Sequence, residues 1–152
     1  MDSNLIQIIT AVSGTVGFAI YFNVDKSKLI PISFGAFISW IMYLFVLNMS
    51  NSLFLANFLS AILVCIYSEI MARVLKTPAN ICLIPSVVPL LPGSSFYYTM
   101  LAAISMNMNV FRQKGMETFM IILGISLGIV IGFFIFVQSL KVFHKIKSYN
   151  LS

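Results

Sequence analysis

Apolar residues fill this chain in long runs that only short polar breaks interrupt. Four runs are long enough to cross a bilayer as helices: Leu5–Phe22, Leu29–Leu47, Leu53–Ala72 and Phe119–Leu140. A span needs about 20 such residues. NVDKSK separates the first two runs and NMSNS the second from the third, connections so short that the neighbours must run antiparallel. A further stretch, Thr77–Phe111, holds no charged residue, yet it is too long for one straight crossing and barely enough for two short ones. Pro78, Pro85, Pro89 and Pro92 punctuate its first half, while Ser95–Phe111 reads as one unbroken helix. Each interior proline removes a helical hydrogen bond and crowds the preceding turn. Backbone interrupted in this way persists at membrane depth only where protein or a wet cavity satisfies its polar groups. The pattern predicts an all-α integral membrane protein, one membrane domain over residues 1–152. Its spans are expected at 5–22, 29–47, 53–72, 78–111 and 119–140, the fourth discontinuous and broken by its prolines.

Composition excludes a soluble domain. The chain is 60% hydrophobic and 9% charged, with a mean hydropathy of +1.02, too few charges to cover a core in water. A net charge of +5 does not signal nucleic acid, because the nine Lys and Arg sit singly or in pairs between apolar blocks, with no basic face or recognition motif. They read as membrane flanks, which set orientation. With Lys26 and Lys28 cytoplasmic, a net single crossing by 77–111 leaves seven basic residues inside and only Arg112 and Lys114 outside. An even number of crossings gives six and three. The first arrangement is favoured: five spans in the cell membrane, N-terminus out and C-terminus in. No basic residue precedes Lys26, so a secretory leader is not expected and the first run is retained as a span.

Little in the chain suggests catalysis. There is one His, and the metalloprotease, serine-hydrolase and phosphate-loop signatures are missing. Cys65 and Cys82 lie within apolar runs without a CxxC or a nearby His, as packing residues rather than a disulfide or metal site. No cofactor is implied. Glu69 is the only acid inside a predicted span, and Arg73 follows four residues later in the acid-first order that favours a pair. The two are either a coupling or charge-compensating element or a snorkelling salt bridge at the membrane edge. Asn57, Ser60 and Ser68 form a weakly polar stripe on the same helix, lining a pathway or bonding between helices. GISLGIVIG sets Gly124, Gly128 and Gly132 four apart on one face of the last span, and Ser13/Gly17 and Gly35/Ser39 repeat the small-residue spacing. Such faces allow close helix packing, internally or against a partner.

The segment LLPGSSFYY carries the main candidate site. Pro92 closes the broken half, Gly93 is expected to supply a turn that costs other residues more, and Ser94 is the expected N-cap of the following helix. A helix that begins inside the membrane presents free amides and a positive dipole end, which bind carboxylates. Ser95, Tyr97 and Tyr98 would add hydroxyls or an aromatic wall. The plainer reading is a kinked structural span.

VGFAIYFNV (Val16–Val24), SEIMARVLKTPA (Ser68–Ala79) and LIPSVVPLLPGSSFYYTM (Leu83–Met100) resemble the membrane half of the threonine/serine exporter family. The whole chain is similar, in order and length, to that family's small split subunit. Ser86 departs from the pattern, standing where glycine is expected after the first proline. The resemblance implies a transport component exporting small carboxylate metabolites such as threonine and serine, with a larger five-span membrane subunit as partner. Related split pairs are linked to dicarboxylate export, the alternative substrate class. The rival from another class is a non-transporting scaffold whose glycine-faced helices assemble a different membrane complex. An odd number of spans per half suits an inverted repeat.

Overall fold

The computed structural model describes residues 2–149, with side chains from 4 to 141; the expected tail cations Lys145 and Lys147, and His144, lie outside those side chains. The chain is all helical. In order come α1 (Asp2–Tyr21), a 3-10 turn (Lys26–Lys28), α2 (Leu29–Ser50), α3 (Leu53–Val74), α4 (Asn80–Val87), a second 3-10 turn (Val88–Leu90), α5 (Gly93–Ile104) and α6 (Met108–Tyr149). Helices α1, α2, α3 and α6 are each long and apolar enough to span a bilayer, and α4 and α5 together form a pair bent by 58°. This is a multi-span membrane bundle.

Helix ends are set by residues other than glycine. Asn23, Asn51, Lys76 and Met106 adopt left-handed backbone, with φ of 55°, 51°, 51° and 56°, each just past the end of a helix, where such a residue turns the chain away. The expected unbroken helix over Ser95–Phe111 is corrected at one of them. Helix α5 stops at Ile104; the Asn107 amide bonds back to the Ala102 carbonyl at 2.9 Å, and Asn107 Oδ1 accepts from the Val110 amide at 3.3 Å. Asn107 thereby caps α6, which starts at Met108 rather than near Phe119 and takes in Arg112, Lys114 and Glu117. No proline or left-handed residue interrupts α6 after that point, so the helix continues through the charged segment into the apolar one.

The prolines act unequally. Pro78 precedes α4, Pro85 lies inside it, and Pro89 sits in the 3-10 turn; the bend falls at Leu91–Pro92. Neighbouring helices hold this irregular stretch. Ser39 Oγ–H donates to the Ser86 carbonyl and Ser86 Oγ–H to the Ile32 carbonyl, both at 3.3 Å. The side chain at Ser86 fits because Gly35 faces it: a Cβ on Gly35 would lie 2.5 Å from Ser86 Oγ.

In lipid, apolar burial gives helices no net reason to associate, so close backbone approach dominates. A Cβ on Gly124 would meet the Phe54 carbonyl oxygen at 2.8 Å, one on Gly128 the Phe58 oxygen at 2.5 Å, and one on Gly132 Cys65 Cβ at 2.9 Å. The glycine face of α6 therefore lies against α3. Because both sets of numbers rise together, α3 and α6 run parallel. Helix α5 instead folds back along the start of α6 across the short 105–107 connection, which sets Ser95 beside Glu117 and Thr99 3.5 Å from Thr118. On α1, a Cβ at Gly14 or Gly17 would meet nothing within 4 Å, so this small-residue face has no neighbour among the described residues.

Candidate functional site

Between α2, α3, the 91–92 bend and α6 lies a cavity of about 280 Å³. Trp40 and Tyr43 of α2, their rings stacked at 4.9 Å, form one wall, and Leu53 and Asn57 of α3 another. The bend contributes Pro89 to Pro92 with Ser94 and Ser95, and α6 contributes Glu117 and Ile121.

The start of α5 faces this space without a side-chain cap. Pro92 is the N-cap residue, so Ser94 is a residue of the first turn and not the expected cap. The Gly93 amide bonds to the Leu91 carbonyl at 2.8 Å and the Phe96 amide to the Pro92 carbonyl at 2.9 Å. Between them, the Ser94 and Ser95 amides find no acceptor among the described residues. The special turn expected of Gly93 is not made: its φ is not positive, and a Cβ there would meet nothing within 4 Å. The unusual backbone falls one residue earlier, at the N-cap Pro92, with φ −78° and ψ 51°.

Buried polar atoms without partners mark the same region. Asn57 is 1% exposed; its Nδ2 donates to the Leu53 carbonyl at 2.8 Å, while its Oδ1 has no partner. Trp40 Nε1 is likewise buried and unpaired. Farther along α3, the hydroxyls of Ser60 and Ser68 are buried and find no partner among the described residues, so they make none of the inter-helix bonds considered for these two. Other buried or half-buried hydroxyls here bond one turn back, as Thr15, Ser33 and Ser50 do at 2.9, 2.8 and 2.8 Å. An unsatisfied buried polar group costs about 1–3 kcal/mol, and such groups in a native fold call for an explanation.

Glu117 supplies the charge at the cavity. Lys114 Nζ lies 2.7 Å from its Oε2, and Ser95 Oγ–H donates to the same oxygen at 3.4 Å. Oε1 has no partner among the described residues. Sequence reasoning missed Glu117, which counted as a flank of the last apolar run, and missed Trp40 and Tyr43, which looked like ordinary members of a span. The one usable signal was that Trp40 is the single tryptophan.

Other predicted residues lie elsewhere. Tyr97 and Tyr98 pack edge to face at 5.4 Å, are 61% and 51% exposed, and do not line the cavity. Glu69 accepts from Arg73 Nη1 at 2.9 Å, and the guanidinium also sits 4.3 Å above the centre of the Phe136 ring. That pair is twelve residues beyond Asn57 on α3, about 18 Å along the axis. No group of acidic, His or Cys side chains among the described residues is arranged to hold a metal.

The family model described as Threonine/Serine exporter, ThrE, matches residues 7–135, a range that includes every wall of the cavity. No curated protein and no solved structure matches the chain.

Proposed function

Because this chain belongs to the threonine/serine exporter family, whose members are transporters and not enzymes, we propose that it is the small subunit of a secondary exporter. It moves threonine- and serine-like amino acids out across the cytoplasmic membrane. The observation that carries the site is the pair of free amides, Ser94 and Ser95, opening a helix against a cavity walled by membrane helices. A helix start of this kind offers donors and a positive dipole end to a carboxylate, as discontinuous helices do in transporters.

In this reading α4, the bend and α5 together make one broken span. The parallel course of α3 and α6 supports it, since a segment joining two parallel spans crosses an odd number of times. Five spans follow, N-terminus out and C-terminus in by the basic-residue count, and the cavity then lies toward the outer face. The unpartnered hydroxyls of Ser60 and Ser68 continue from Asn57 toward the cytoplasmic end, where Glu69 compensates Arg73. A larger five-span subunit completes the exporter. The open Gly14 and Gly17 of α1 and the exposed Leu91 and Ser94 at the cavity's mouth suit a second half closing on this one.

Deletion of the gene is the test. Intracellular threonine and serine should rise, and the supplied chain should restore export in this strain but not in one that also lacks the larger subunit. Wild-type levels of threonine, serine and succinate in the deletion strain would sink the transport reading and leave a scaffold.

A further inference from the structure

We infer that the groove between the end of α1 and the start of α4 holds an acyl chain of an anionic phospholipid, whose phosphate sits between Lys26 and Lys76. The groove lies at the end of the bundle away from the cavity, and its ligand does not depend on what the bundle transports.

The groove has a volume of about 250 Å³, with Phe22 and Val24 on one side and Asn80, Ile81, Ile84 and Pro85 on the other. Asn80, the first residue of α4, is the one polar side chain of the six. From Asn80 to Pro85 the helix advances about 7 Å, so the groove starts at the level of the connecting loops and descends along apolar helix. Phe22 and Ile84 are more than half exposed, which leaves the groove open sideways. A slot of this kind takes hydrocarbon, because it gives a polar ligand almost nothing to replace its water.

Charge at the mouth selects the head. Val24, Leu29, Met71 and Leu75 pack on one apolar cluster of Ala19, Ile32 and Cys82, which gathers Lys26, Lys28, Arg73 and Lys76 at this end. Asp25 pairs with Lys28 at 2.7 Å and Glu69 with Arg73 at 2.9 Å. The chain's other two acids are Asp2 and Glu117, one at the far start of α1 and one at the cavity. Lys26 and Lys76 are exposed and meet no carboxylate among the described residues. Lys26 follows Val24 by two residues and Lys76 precedes Asn80 by four, at most about 7 and 14 Å of chain from the groove. Lysine stems extend along apolar surface while the ammonium stays in the polar layer. Two such ammonium groups beside an apolar slot fit a phosphate that carries fatty chains. A zwitterionic lipid would set its own ammonium among these cations, which discriminates against it.

Native mass spectrometry of the delipidated full chain, titrated with lipid, tests this. Phosphatidylglycerol should bind more tightly than phosphatidylethanolamine of the same chains by about tenfold or more, and Lys26→Gln and Lys76→Gln should each weaken it about fivefold. Ile84→Trp, at an exposed position, should fill the groove and weaken phosphatidylglycerol by about tenfold with both lysines intact. Glycerol phosphate, an anionic head without chains, should not compete. The lipid series on the unaltered chain stands even if a variant misfolds. Equal binding of the two lipids would reduce the site to ordinary surrounding lipid and overturn the inference. Competition by glycerol phosphate as strong as by phosphatidylglycerol would remove the acyl chain from it. Phosphatidylglycerol binding unchanged by all three substitutions would place the lipid elsewhere, and its loss on adding the larger subunit would give the groove to that partner.

Discussion

Helix α6 meets α3 in two ways along one contact. From Gly124 to Gly132 the backbones touch, and a single added methyl would collide with a carbonyl oxygen or a Cβ. A turn or two earlier, at Glu117 and Ile121, side chains stand between the same two helices and the bend of α4–α5 enters, leaving the cavity. The difference is one of residue size: glycine removes the spacer and gains packing, while Glu117, Asn57 and the bend restore it and leave polar atoms unsatisfied. Close backbone packing is concentrated at one end of the pair, and the polar-lined cavity lies at the other.

Forcing the closed end open should do the most damage. Gly128→Leu puts a large side chain where a Cβ already lies 2.5 Å from the Phe58 oxygen, and should cost at least about 1–3 kcal/mol in detergent-titrated unfolding, with loss of inserted protein. Unchanged stability would mean that the glycine seam does not hold the bundle. A smaller version of the same conflict tests the second seam. Gly35→Ala should destabilise by about 1 kcal/mol through Ser86 Oγ, and the added Ser86→Gly should restore most of it. Independent, additive effects would show that the two residues do not share that space.

Along the polar stripe of α3 the sign should reverse. Ser60→Ala and Ser68→Ala remove unpartnered hydroxyls, so stability should hold or rise by up to about 1 kcal/mol while threonine export falls several-fold. Full export by the double variant would return the stripe to a packing role. Glu69→Gln breaks an ion pair whose arginine is about half exposed, worth about 0–1 kcal/mol at most, and should leave threonine affinity unchanged. A large loss of affinity would link the distant pair to the cavity. Smallest of all, Gly93→Ala should export and bind like the native chain, because neither backbone conformation nor a neighbour demands glycine there.

Much of the bundle was legible because the bilayer imposes a length on apolar runs, and four such runs announce themselves. The glycines of the last run announced a close-packed face for the same kind of reason: spacing on a helix is a property of the chain alone. Helix ends were harder. Asn107 ends one helix and caps the next within a stretch of Met, Asn and Ser that shows no break in hydrophobicity, so Ser95–Phe111 looked continuous. Gly93 looked special because glycine usually marks an unusual turn, yet its own φ is not positive and the unusual backbone falls one residue earlier, at Pro92, with φ −78° and ψ 51°.

What the amino-acid order determined by itself was the solvent: a chain so poor in charge must lie in lipid and must be helical there, because lipid offers its backbone no hydrogen bonds. Which helix the glycines touch, and that α3 and α6 run parallel, only the tertiary structure decided. The same holds for the site. Trp40, Asn57, Ser95 and Glu117 come from four different helices, and no local pattern records that they share one cavity. Their unpaired donors and acceptors acquire meaning only from burial, and burial is a property of the assembled fold.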